Sequence, residues 1–285
     1  MECPTYIAPE REIVDAAVTA ALQGSGVRVP PSHWELVNHG SSNLVVLAGS
    51  VAVRVSRSPH AAAVALRAQK VIDSLPELPF AVPRSLAEPI AESGIVAIAQ
   101  HRIPGAAHRP GEGDPRSIAE LLEALQAVTV APLKQHLAQS HAFMGGAGWH
   151  SIMVEEAIPR LDPAVRRAAR DAADSLAALQ GHATSLIHGD LAGENVLWEN
   201  GRVVGVLDWD LASADDPAED VAALAVWHGW DALEKACTAD IVARARIIAA
   251  TFPLQLICFA LVNDRPAQEV QRAVEKANAR MTRLG

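Results

Sequence analysis

Asn200-Gly201 restricts the fold of this chain more than any other feature. Both residues tolerate positive φ, and the two-residue turn they form matches the natural twist of paired strands. Apolar-rich runs flank the pair, Val196 to Glu199 and Arg202 to Leu207. With the pair as the turn, Asn195 is expected opposite Val206, and Asp208 lies about two strand rises of ~3.3 Å further on. The hairpin therefore returns Asn195 and Asp208 to one open end, close to Asp190.

The rest of the chain divides in two. Trp34 to Val37, Asn43 to Ala48, Val51 to Ser56 and Gly94 to Ala99 read as strands, the middle two joined through Gly49-Ser50. Ser58-Pro59 reads as an N-cap followed by Pro at the first helical position, opening a helix to about Leu75. After the crossing segment Gln100 to Gly105 the character becomes helical. Asp114-Pro115 opens one amphipathic helix, and Asp162-Pro163 opens another that Gly181 closes. Asp216-Pro217-Ala218-Glu219 reads as a capping box before a further helix. The expected class is α+β: a small β-rich lobe over 1–102 and a larger helical lobe over 103–285. A length of 285 residues suits two such lobes sharing a cleft.

Composition removes several functions. The net charge of −9 argues against a general nucleic-acid binder, which needs clustered Lys and Arg. The acidity is uneven: residues 1–103 carry nine acids against eight bases, and 104–285 carry twenty-four against sixteen. The second part would thus favour a cationic small molecule. Cys3, Cys237 and Cys258 are far apart and odd in number, so neither a disulfide framework nor a metal spacing follows. The first ten residues lack the basic start and apolar run of a leader. Ile247 to Val262, interrupted by Thr251, Pro253 and Gln255, is shorter than the ~20 residues of a bilayer span and reads as a buried helix. A cytoplasmic protein without membrane association or an obligate protein partner is the expectation.

The chemistry concentrates in His188-Gly189-Asp190-Leu191-Ala192-Gly193-Glu194-Asn195. Phosphoryl transfer to an alcohol needs a carboxylate that orients the hydroxyl and accepts its proton, with oxygen ligands for magnesium at the phosphates. Asp190 precedes Asn195 by five positions, the spacing of a kinase catalytic loop. P-loop, dinucleotide-binding, nucleophile-elbow and His-Glu-x-x-His patterns are absent from the sequence.

His188-Gly189-Asp190-Leu191, Asn195-Val196-Leu197, Gly205-Val206-Leu207-Asp208-Trp209, Asp216-Pro217 and Asp220 together resemble the signature of the aminoglycoside phosphotransferase family. Its members are relatives of choline kinase and share the protein-kinase-like fold. The resemblance is specific over 188–220 and looser over 36–105. It implies Asp190 as catalytic base with His188 bracing the loop. It implies Asn195 and Asp208 as magnesium ligands, Asp220 as support beneath the loop, and ATP or GTP as co-substrate.

In the small lobe, His39-Gly40-Ser41-Ser42-Asn43 is the candidate phosphate-covering loop, and Gln100, where the lobes cross, is a further nucleotide-binding candidate. Arg54 occupies the place where such a fold puts its phosphate-binding lysine. The glutamate that would pair with it belongs near Arg67-Ala68-Gln69, where no acid stands; the nearest is Asp73. Glu155 and Glu156, together with Trp227, Trp230 and Asp231, are the candidate acceptor-binding residues, because aromatic faces beside carboxylates suit an amino-bearing molecule. Three functions stay open: an aminoglycoside or macrolide O-phosphotransferase, a metabolic kinase for choline, an amino alcohol or a sugar, and a regulatory nucleotide-binding pseudokinase.

Overall fold

A computed structural model of the chain describes residues 9–38, 40, 42–179, 184–191 and 193–283. Cys3, His39, Ser41, Gly181 and Ala192 lie outside the described residues.

The N-terminal sheet runs β1 (Glu35–Val37), β2 (Asn43–Ala48), β3 (Val51–Ser56), β5 (Ile95–His101) and β4 (Ile90–Glu92), all antiparallel. β2 and β3 occupy the expected spans, with Ala48 opposite Val51 across the tight turn. Ile95 to Gln100 is buried without alternation, because both sheet faces are covered. α1 (Arg11–Gly24) packs Val14, Ala17, Val18 and Leu22 with Val53, Val55, Ala97 and Ala99 on one side. α2 (Pro59–Ser74) packs Ala62 and Ala65 with Val96 and Ile98 on the other. Ile98→Ala would leave a cavity there and cost roughly 2–5 kcal/mol. Ser58 caps α2 as expected, its hydroxyl accepting from the Ala61 amide at 3.2 Å.

The first lobe does more than abut the second. Val71, Ile72, Leu75, Phe80 and Val82 belong to the core of the helical part. The chain crosses after β5 into β6 (Ala106–Ala107), which pairs with β8 (Val196–Glu199), itself the partner of β9 (Arg202–Val206). Asn200 and Gly201 form the turn with φ of 51° and 76°. The register differs from expectation by one residue: Leu207 donates to the Asn195 carbonyl at 2.8 Å, so Asn195 faces Leu207 and not Val206. The cause is a bulge at Val204 between the Trp198/Val203 and Leu197/Gly205 pairs. The bulge frees β9 to bond a third segment, with Ala81 donating to Val204 at 2.9 Å and accepting from Val206 at 3.0 Å.

α3 (Pro115–Gln126) starts where expected, Asp114 accepting from the Ser117 amide at 2.9 Å, and buries Ile118, Leu121, Leu122 and Leu125. α4 (Trp149–Ser151) continues as π-helical turns to Ala157. The Asp162-Pro163 opening makes a turn instead. Arg166 folds back to the Leu161 and Pro159 carbonyls at 2.8 and 2.9 Å, and α5 begins only at Arg166 and ends at Ala177. β7 (Ser185–Ile187) pairs with β10 (Ser213–Asp215). Four helices complete the lobe: α6 (Ala218–His228), α7 (Trp230–Ala236), α8 (Ala239–Val262) and α9 (Ala267–Met281). Before α6 the capping box is half formed. Asp216 accepts from the Ala218 amide at 2.9 Å, but its own amide goes to Asp215, and Glu219 turns to His141. Asp216 is also held by Arg244 of α8 at 2.7 Å. α8 is long and apolar enough to cross a membrane by length and composition. Here it is the central core helix, packed on α5, α6 and α9.

Candidate active site

β7 delivers His188 into the interior, fully buried. The following backbone hangs from Asp220 on α6: the His188 amide donates to Oδ2 at 2.8 Å and the Gly189 amide to Oδ1 at 2.9 Å. Burial pushes the Asp220 carboxyl up to about 7, against the pull of those two amide donors. His188 spans the loop from inside. Its Nδ1 accepts from the Asp190 amide at 3.2 Å, which leaves the proton on Nε2 to be donated to the Leu207 carbonyl at 2.8 Å. Burial holds the ring neutral, its pKa lowered to about 4. Gly189 has φ of 81°, and a Cβ there would sit 2.7 Å from the Leu211 carbonyl oxygen, so no other residue fits.

Asp190 follows, open to the cleft. Its Oδ2 accepts from Asn195 Nδ2 at 2.9 Å, and the same amide nitrogen donates to the Asp190 carbonyl at 2.9 Å. Desolvation at the bottom of the cleft, with help from Asp208, raises the carboxyl to about 6. Asn195 works against that shift. Asp208 stands at the end of β9 in the left-handed region, with φ of 58°. Its Oδ1 accepts from Arg54 Nη2 at 2.9 Å, and the same nitrogen reaches Asp210 Oδ2 at 2.6 Å. Desolvation would lower the Arg54 pKa, but Asp210 and Asp208 outweigh it and the net shift is upward. The structure thus gathers Asp190, Asn195, Asp208, His188, Asp220 and Arg54 around one cleft.

The other small-lobe candidates divide. Gly40 and Ser42 are tied down through their carbonyls, to Arg57 Nε at 3.0 Å and to the Arg57 amide at 2.9 Å. Asn43 opens β2 with its Nδ2 3.5 Å from Asp210 Oδ2. The Gln100 side chain is buried and committed to α2, donating to Gln69 Oε1 at 2.7 Å, so it does not face the cleft. Asp73 is not the partner of Arg54, since it accepts from the Ser85 amide and hydroxyl at 2.9 and 2.7 Å. Arg57 and Asp210 escaped the sequence reading. The repeated acid in Asp208-Trp209-Asp210 was the available signal for the second.

Beside Asp190 opens a cavity of about 220 Å³. Phe143, Leu211, Val226 and Phe252 give it an apolar wall, and Asp190, Glu219, Arg280 and the imidazole of His141 are its ionisable groups. His141 Nδ1 lies 3.3 Å from Glu219 Oε1. Glu155, Glu156, Trp227, Trp230 and Asp231 are not among the lining residues. Gly229, with φ of 91°, breaks the chain between α6 and α7 and turns Trp230 under the Arg246 guanidinium, 4.2 Å from the ring centroid. Trp227 donates to the His108 carbonyl at 3.0 Å, while Glu155, Glu156 and Asp231 are exposed.

The profile of the phosphotransferase enzyme family matches residues 33–252. The chain belongs to this family. A viomycin phosphotransferase from Streptomyces vinaceus is 37% identical over 115 residues, which are 37% of this chain and 40% of that protein. The match therefore spans less than half of that relative. Among solved structures, the GDP complex of aminoglycoside 2'-phosphotransferase-IIIa aligns with a TM-score of 0.79 at 15% identity, over 96% of this chain and 100% of that one. A macrolide 2'-phosphotransferase from Brachybacterium faecium aligns with a TM-score of 0.69 at 20% identity, over 92% and 98%. These likenesses carry the kinase-like fold of the phosphotransferase family over nearly the whole chain.

Proposed function

We propose that this phosphotransferase moves the γ-phosphoryl group of ATP or GTP onto a hydroxyl of an amino-bearing antibiotic. The observation that carries the reading is Asp190, fixed by Asn195, at the mouth of a cavity on one side and the Arg54–Asp208–Asp210 cluster on the other. An acceptor hydroxyl in the cavity and a nucleotide under the small lobe would meet at that carboxylate. The GDP complex among its structural neighbours and the viomycin, aminoglycoside and macrolide enzymes it resembles support both substrate classes.

In this reading Asp190 accepts the hydroxyl proton as the acceptor oxygen bonds to the γ-phosphorus and the bond to the nucleoside diphosphate breaks. Asn195 orients the carboxylate, and neutral His188 fixes the backbone that carries it. Arg54 is placed to pair with phosphate oxygens. The residues fit a magnesium ion: Asn195 spends its Nδ2 on Asp190, which leaves its amide oxygen to coordinate, and Asp208 adds a hard carboxylate oxygen. Bound there, magnesium would neutralise phosphate charge. The apolar wall with one His–Glu pair fits an acceptor that is mostly apolar and carries an amine.

The test is incubation with magnesium, ATP or GTP, and separate aminoglycosides, macrolides, viomycin and choline-like amines, followed by product mass. One antibiotic gaining a single phosphoryl group is the expected result. Transfer confined to choline, an amino alcohol or a sugar would replace the antibiotic reading, and nucleotide binding with transfer to nothing would favour a regulatory protein.

A further inference from the structure

Arg54 is shared between two carboxylates that differ in kind. Asp208 is 49% exposed to the cleft and Asp210 only 16%, while the Arg54 side chain is 8% exposed. A single nitrogen, Nη2, serves both acids. The other oxygen of Asp210, Oδ1, is buried and accepts no hydrogen bond among the described residues. The helix that packs behind Arg54 offers no acid there. From α2, Arg67 donates to the main-chain carbonyl of Asp210 and, at 2.9 Å, to that of His136, while Gln69 is engaged by Gln100. Trp209, fully buried, fixes the same turn by donating to the Val206 carbonyl at 3.0 Å. Asp210 is therefore held rigidly against Arg54 from both lobes.

We propose that Asp210 is the positioning residue for Arg54, holding the guanidinium at the phosphate end of the cleft when Asp208 turns to the cation that accompanies the nucleotide. This rests on the kinase reading above. Arginine stays charged, and a buried arginine without a counterion is costly. Asp208 alone would have to serve either Arg54 or the metal. With Asp210 present, the second acceptor oxygen Oδ1 is available to another guanidinium N–H, and the pair becomes bidentate as Asp208 departs. The acid that a kinase-like cleft needs beside its small-lobe cation has moved from the helix to the turn after β9, and α2 carries the opposite charge to pin that turn.

The test needs no acceptor. Binding of fluorescent ATP and GTP analogues is measured, with magnesium titrated, for the wild type, Asp210→Asn, Arg54→Met and the double variant, alongside melting curves. Asp210→Asn should weaken nucleotide binding roughly tenfold or more. It should also raise the magnesium concentration at half-saturation, because Arg54 then falls onto Asp208 alone. In the Arg54→Met background the same change should add no further loss. Asp210→Glu, which keeps the charge, should bind more tightly than Asp210→Asn. Wild-type nucleotide binding by Asp210→Asn, losses that add in the double variant, or equal binding by the Glu and Asn variants would each overturn the assignment. A wild-type protein that binds no nucleotide would instead overturn the kinase reading itself.

Discussion

Asn195 Nδ2 stands 2.9 Å from both the carboxylate and the main-chain carbonyl of Asp190, so one amide fixes the side chain and its backbone together. The contact ties Asp190 to Asn195, five positions further on, and Asn195 is held in turn by the ladder bond from Leu207 at 2.8 Å. The direction of the Asp190 carboxylate is thereby tied to the hairpin through Asn195.

Asp190→Asn should lower the transfer rate by ~100-fold or more, since a general base contributes on that scale. Nucleotide affinity should be nearly unchanged, because the side chain bonds only Asn195 among the described residues. Asn195→Ala should lose rate as well and also need more magnesium. Steady-state kinetics with nucleotide and magnesium varied separately distinguish the two. A rate for Asp190→Asn within a few-fold of wild type removes it as the base.

The cavity makes a separable prediction. Glu219→Gln removes the wall carboxylate paired with His141 and should raise the acceptor KM roughly tenfold, the scale of a charge-assisted hydrogen bond. Phe143→Ala strips an apolar face that stacks on Phe259 at 4.6 Å and should act in the same direction. Neither should alter the nucleotide KM. An unchanged acceptor KM in both variants would place the acceptor elsewhere.

The strand–loop–hairpin that carries Asp190, Asn195 and Asp208 was legible because its determinants are local. Asn200-Gly201 dictates the turn, and the turn alone returns Asp208 towards Asn195. What escaped depends on distant partners. The bulge at Val204 goes with the bonds of β9 to Ala81, and that segment is more than a hundred residues away. Trp227 and Trp230 do not line the cavity beside Asp190; the positive φ of Gly229 turns the second under Arg246, a break that helical spacing does not reveal. Asp210 was overlooked because its meaning depends on Arg54 lying across the cleft. α1 has no start signal although Val14, Ala17, Val18, Ala21 and Leu22 keep helical spacing, because its N-cap, Glu10, makes no side-chain capping bond.

His188→Phe should leave two partly buried polar groups without partners, the Asp190 amide and the Leu207 carbonyl. Each costs about 1–3 kcal/mol when unpaired. The melting temperature should fall, and the transfer rate should fall further than nucleotide binding, because Asp190 loses its backbone support. Urea melts and kinetics on one preparation check both. Unaltered stability would show that water replaces the ring without penalty.

Asp220 ties stability to pH with a definite sign. Its carboxyl titrates at about 7 in the folded protein against 3.8 for an ordinary aspartate, so the folded state prefers the protonated form. The stability contributed by protonated Asp220 is complete below the ordinary value and is lost as the pH rises through about 7. Each unit between the two values is worth about 1.4 kcal/mol. Asp220→Asn cannot ionise and keeps one acceptor for the His188 and Gly189 amides, so it should be less stable than wild type at pH 5. The gap should narrow up to about pH 7, because the unfolded wild type releases the proton that the folded carboxyl keeps, and level off above it. Denaturant melts of both proteins across that range measure the gap directly. A gap that stays constant would mean the two amide donors keep Asp220 ionised throughout, and the loop would then hang from a carboxylate at every pH tested.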